Sequence, residues 1–96
     1  MKLVHDVQID KNTTVIVTLT IDRGWLRMDH VSAGTYFGGS SIRLSHVVRV
    51  DKQQQSYDGE TYFWITLTDR DAVKTVLPFA LKGDEVNQLD DAIVAA

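Results

Sequence analysis

Cysteine is absent from this chain. That excludes disulfides, thiolate metal sites and cysteine nucleophiles, and it suits a reducing compartment, so a cytoplasmic location is expected. Long apolar runs are missing too; none approaches the ~20 residues that a membrane-spanning helix needs. Positive charge is in deficit, with a net charge of −3. A general nucleic-acid binder needs a concentrated positive field to displace counterions, so no nucleic-acid partner is expected. The opening residues Met1-Lys2-Leu3-Val4-His5-Asp6 carry charge and lack the apolar core and small-residue cleavage site of a secretory leader, so none is expected. Proline occurs once, at Pro78.

What is present reads as β-structure. The 96 residues suit one domain, residues 1–96. Alternation is clearest from Thr13 to Ile21, where Val15, Val17, Leu19 and Ile21 point one way and Thr14, Thr18 and Thr20 the other. Asp22-Arg23-Gly24 then turns the chain into Trp25 to His30, predicting a hairpin with a positive φ at Gly24. Upstream, Leu3, Val7 and Ile9 suggest a first strand that stops at Asp10-Lys11-Asn12. Residues Val31 to Ser41 read as a flexible loop, with Thr35-Tyr36-Phe37 a short strand between glycines. Ile42 to Lys52 reads as one strand bent near Ser45. Tyr57-Asp58-Gly59-Glu60 is a turn, and Thr61 to Thr68 alternates with Phe63, Ile65 and Leu67 opposite Tyr62, Trp64 and Thr66. Val73, Thr75, Leu77, Phe79 and Leu81 predict a last strand, at an edge or bulged where Pro78 lacks an amide donor.

The end of the chain changes period. Val86, Leu89, Ile93 and Ala96 recur at helical spacing over Glu85 to Ala95, with Gly83 or Asp84 as the cap and Asp84 and Glu85 at the positive dipole end. So short a helix is marginal alone, so docking of Val86, Leu89 and Ile93 on the sheet must hold it. The expected fold is mainly β (α+β): about seven antiparallel strands in a bent sheet or partly open barrel, capped by one C-terminal helix.

Ile42-Arg43-Leu44-Ser45-His46-Val47-Val48-Arg49-Val50 resembles the I-x-L-S-x-I-x-x-V strand opening of bacterial pleckstrin-homology-like domains. Val76-Leu77-Pro78-Phe79-Ala80-Leu81 leading into Asp84 to Ile93 is similar to their last strand and helix. The likeness runs from about Val15 to Ala95. It implies a helix plugging one open end of a bent sheet, and functions as diverse as phosphoinositide binding, peptide binding and scaffolding, so fold does not select function. Lipid-binding members cluster Lys and Arg around the loop between their first two strands. The turn matched to that loop offers Arg23 and Arg27 beside Asp22 and Asp29, without a basic run.

No catalytic constellation stands out. His5, His30 and His46 are far apart in sequence, and a metal site needs two or more to converge with a carboxylate. Ser45, His46 and Asp51 have triad side-chain types but no nucleophile elbow or oxyanion loop around them. Gly38-Gly39-Ser40-Ser41 is neither a phosphate loop nor a dinucleotide fingerprint. The candidate partner-contact residues are Tyr36, Phe37 and Arg43, on or beside the glycine-rich segment, and the outward pair Tyr62 and Trp64. Each aromatic has a packing alternative: Tyr36 and Phe37 in the core, Tyr62 and Trp64 under a helix or loop.

These residues point first to a non-enzymatic bacterial or phage-type interaction module, acting through protein contacts and self-associating as a homo-oligomer, with no metal or cofactor. A peripheral module binding anionic lipid through Arg23 and Arg27 is the alternative. A small enzyme or ligand carrier is the third reading.

Overall fold

Alternating side chains and tight two-residue turns decide most of the architecture. The computed structural model describes the backbone of residues 1–96 and every side chain except those of Ile9 and Phe37. The chain divides into two compact units, Met1–Arg43 and Leu44–Ala96. Each carries a four-stranded antiparallel sheet, and a single helix ends the chain. The mainly-β architecture with a C-terminal helix is therefore as expected. The strands, eight rather than about seven, form two four-stranded sheets.

The first unit is a meander of β1 (Lys2–Asp10), β2 (Thr13–Asp22), β3 (Trp25–Ser32) and β4 (Thr35–Arg43). The expected β2–β3 hairpin is present. Its turn holds Arg23 at φ 52° and Gly24 at φ 79°, and Ala33 and Gly34 repeat the pattern at 50° and 78°. Two consecutive positive φ values give the turn a twist that matches that of the flanking strands. At the β1–β2 turn, Asp10 Oδ1 accepts the Asn12 amide at 2.8 Å. That bond, with help from Thr13, holds the Asp10 carboxyl below its usual range. One face of the sheet buries Val15, Val17, Leu19, Leu26, Met28 and Ile42. Each such side chain contributes about 1.5–3 kcal/mol relative to leaving it in water.

Two expectations fail here. Residues 31–41 are not a flexible loop; they complete β3 and make most of β4, hydrogen-bonded along their length. Glycine and serine have weak strand propensity, but a preceding two-residue turn and a paired neighbour override it. Nor is Ile42 to Lys52 one strand. Ile42 and Arg43 end β4, and a 3₁₀ turn at Leu44–His46 begins the second unit.

The second unit contains β5 (Val47–Tyr57), β6 (Glu60–Asp69), β7 (Lys74–Val76), β8 (Leu81–Lys82) and α1 (Gly83–Ala95). Strand β6 is central, with β5 on one side and β7 and β8 both on the other. The expected single last strand is thus split. Leu77 still donates its amide to Ile65 O at 3.1 Å, but Pro78 has no amide, and the register then jumps by two residues before Leu81 pairs with Phe63. Its alternation survives the break, since Leu77, Phe79 and Leu81 are buried; Val73 is exposed instead.

Helix α1 packs on β6, β8 and the 3₁₀ turn. Val86 and Leu89 are buried and Ile93 is half-buried, while Ala96 falls outside the buried stripe. The N-cap is Lys82, one residue before the expected Gly83 or Asp84. Glu85 reaches back to accept the Lys82 amide at 2.9 Å. Lys82 has no side-chain acceptor to return that bond, so the box is half made. Lys52 on β5 ties to Asp90 on the helix at 2.6 Å.

Candidate functional site

The Asp58-Gly59 turn, with φ values of 52° and 78°, sets Tyr57 opposite Glu60. From that register follows every pair further in: Gln55 with Tyr62, and Gln53 with Trp64. Period-2 geometry then places Gln53, Gln55 and Tyr57 on the same face as Tyr62 and Trp64. On this face Gln55, Tyr57, Tyr62, Trp64 and Ala80 line an open pocket of about 270 Å³.

The polar tips around this pocket are already engaged. The Trp64 indole N–H donates to Gln55 Oε1. The Tyr62 hydroxyl donates to Glu60 Oε2 at 2.9 Å, and Lys82 Nζ lies 3.6 Å from the same oxygen. The carboxylate beside it raises the Tyr62 phenol above the usual tyrosine value, because a tyrosinate would face Glu60. What remains on offer is ring surface, together with Tyr57, which is 76% exposed.

Two of the other expected contact residues, Tyr36 and Arg43, lie in the first unit, on its outward sheet face. Arg43 stands directly opposite Trp25, its guanidinium 5.0 Å from the ring centre, a cation–π geometry. Arg27 Nε donates to both carboxylate oxygens of Asp29, at 3.0 and 3.1 Å. The Tyr36 hydroxyl donates to Asp29 Oδ1 at 3.1 Å and accepts from Arg27 Nη2 at 3.3 Å. These contacts raise the Arg27 pKa, chiefly through the Asp29 bond.

A bulge explains why Tyr36 is there. His30 pairs with Gly38 but Val31 pairs with Tyr36, so one extra residue sits in β4. That insertion shifts Tyr36 from the face of His30 to that of Asp29 and Arg27. Gly39 completes the arrangement. A Cβ on it would stand 2.6 Å from Asp29 Oδ1, 2.7 Å from Met28 O and 2.8 Å from the Tyr36 hydroxyl. The side chain of Phe37 lies outside the described residues.

The sequence-derived contact set is divided between the two units. Tyr62 and Trp64 come together; Tyr36 and Arg43 belong to the other unit and are bonded to their own neighbours. Arg23 sits at the β2–β3 turn, whereas the first two strands are joined at Lys11 and Asn12. The two arginines that the resemblance ties to lipid contact are thus one hairpin later than the loop it invokes. Gln55 and Tyr57 were missed, although the Asp58-Gly59 turn and strict parity point to them. Among the described residues no group of three or more His, Cys, Asp or Glu converges in a way that could hold a metal ion. His5 and His30 flank Val17 on neighbouring strands, two strand spacings or about 10 Å apart.

In comparison with known proteins, no family model, curated protein or solved structure matches this chain.

Proposed function

We propose that this protein is a non-enzymatic interaction module that takes a segment of a partner protein at the Tyr57–Tyr62–Trp64 face. The observation that carries this reading is the open aromatic pocket on the outward side of β5 and β6. Its volume of about 270 Å³ is at the floor of the roughly 300–1,000 Å³ usual for sites that enclose a small molecule. An open, ring-lined hollow of that size suits one or two side chains of a docking segment. Tyrosine and tryptophan are the residues that concentrate binding energy at such contacts, since each brings a large rigid surface at little entropic cost. The described lining contains no histidine or carboxylate to act as acid or base.

The strand order supports kinship with pleckstrin-homology-like domains, if the split β7 and β8 are counted as one interrupted strand before the helix. Lipid recognition draws less support. Arg27 is bound to Asp29 and Tyr36, and Arg23 follows Asp22 at its turn.

Panning a phage-displayed library of linear peptides tests the reading. A consensus enriched on the intact chain, and lost on a folded Trp64→Ala variant, is the expected result. Equal recovery from both proteins would reject the pocket as the contact.

A further inference from the structure

We propose that the outer edge of β5 pairs antiparallel with β5 of a second copy, about a two-fold axis through Gln53-Gln54-Gln55. This goes beyond the pocket reading and does not depend on what the pocket takes.

An edge strand presents a row of unpaired amides and carbonyls that invites another strand, and proteins usually blunt it with charge, bulges, glycine or brevity. Three of the edges here are blunted. Strand β1 spaces Lys2, Asp6 and Asp10 along its length and has a register shift between Gln8 and Asp10. Strand β4 carries the bulge before Gly38, which has φ 129°. Strands β7 and β8 are three and two residues long and out of register with each other.

Strand β5 differs. It is eleven residues long and is hydrogen-bonded to β6 on one side only. Its protective features crowd into the first half: a register shift at Val48, then Arg49, Asp51 and Lys52. Gln53 to Tyr57 has no charge, no glycine, no proline and no bulge, and all five residues are exposed.

The sequence of that half specifies both partner and direction. Parallel pairing of two copies in register would set Lys52 beside Lys52 and Arg49 beside Arg49, which is unfavourable. Antiparallel pairing about the glutamines avoids this. Whichever glutamine lies on the axis, Lys52 faces Gln54, Ser56 or Asp58 of the other copy, and no like charges meet. The facing glutamines can also exchange side-chain amide bonds along the seam. A contact this short falls below the ~1,200 Å² of stable interfaces, so the dimer is concentration-dependent rather than permanent.

Sedimentation velocity over a wide concentration range, up to millimolar chain, reads the mass. The expected result is a shift from one chain towards two. Gln54→Lys sets like charges close together near the axis and should weaken the dimer about tenfold or more, with partial recovery in high salt. Circular dichroism confirms that the variant is folded. Because the chain has no cysteine, a single Cys at position 53, 54 or 55 is its one thiol. At least one of these variants should form a disulfide-linked dimer far faster than Asn87→Cys on the exposed helix face. A single-chain mass at every concentration, or no preference among the cysteine variants, would overturn the proposal. Trp64→Ala frees the Gln55 side chain that its indole holds but leaves the β5 backbone edge whole, so the mass shift should persist, and loss of peptide binding and loss of pairing are read separately.

Discussion

The outward faces of the two sheets hold similar side chains and put them to different use. On the first, Arg27, Asp29 and Tyr36 bind one another and Arg43 lies over Trp25. The polar and aromatic groups satisfy each other. On the second, the hydroxyl of Tyr62 and the indole N–H of Trp64 are bonded sideways to Glu60 and Gln55. Their rings are left facing a pocket that Tyr57 walls. Similar side chains therefore do not mean equal capacity to bind. What matters is whether a ring's neighbours cover it or merely anchor its tip.

The strongest way to break the contrast is to remove the support beneath the second face. Leu89 is fully buried in α1, which packs on β6, the strand that carries Tyr62 and Trp64. Leu89→Ala should cost about 2–5 kcal/mol, the range for truncating a buried leucine. Urea unfolding followed by circular dichroism checks it, with a fall in helical signal at lower denaturant. A loss below about 1 kcal/mol would mean that the site does not rest on the helix.

A smaller effect is expected where the first face is knitted together. Gly39→Ala places a methyl group 2.7 Å from the Met28 carbonyl oxygen as well as against Asp29 and Tyr36. The side chains can swing away, but the backbone oxygen has to shift with its strand. Overpacking of this kind typically costs about 1–3 kcal/mol, to be read from the urea midpoint. Unchanged stability would show that the Asp29–Tyr36 arrangement is looser than its distances imply.

Much of this was legible in the residues. Alternation from Val15 to Ile21 and from Phe63 to Leu67, the Gly24 and Asp58-Gly59 turns, and the Val86–Leu89 stripe all act within a few positions, where local geometry decides. What escaped depended on pairing at a distance. Glycines 34, 38 and 39 read as a loop because their strand character comes from β3 alongside. The extra residue that turns Tyr36 outward is invisible until two strands are laid in register. Ser45 read as a bend within one strand, whereas the 3₁₀ turn around it separates two sheets. The pocket is an intermediate case: Tyr62 and Trp64 followed from alternation, and Tyr57 and Gln55 needed the turn register carried across the hairpin.

The smallest and sharpest expectation concerns the anchored tip of Tyr62. Its phenol lies above the usual value of 10.0 chiefly through the bond to Glu60, with slight burial and the carboxylate charge adding to the rise. A proton held more tightly in the folded chain than in the unfolded one means that the contact contributes fully below pH 10 and is lost as pH climbs through the raised value. Carbon-13 labelling at tyrosine Cζ resolves the three tyrosines, and Tyr62→Phe assigns the resonance. In Glu60→Ala both the acceptor of the hydroxyl and the charge that would repel the tyrosinate are gone, so the Tyr62 titration should move down towards 10. An identical titration in both proteins would mean that Glu60 does not hold the tip. The ring would then be free to turn over the pocket, and the anchoring that separates the second face from the first would be lost.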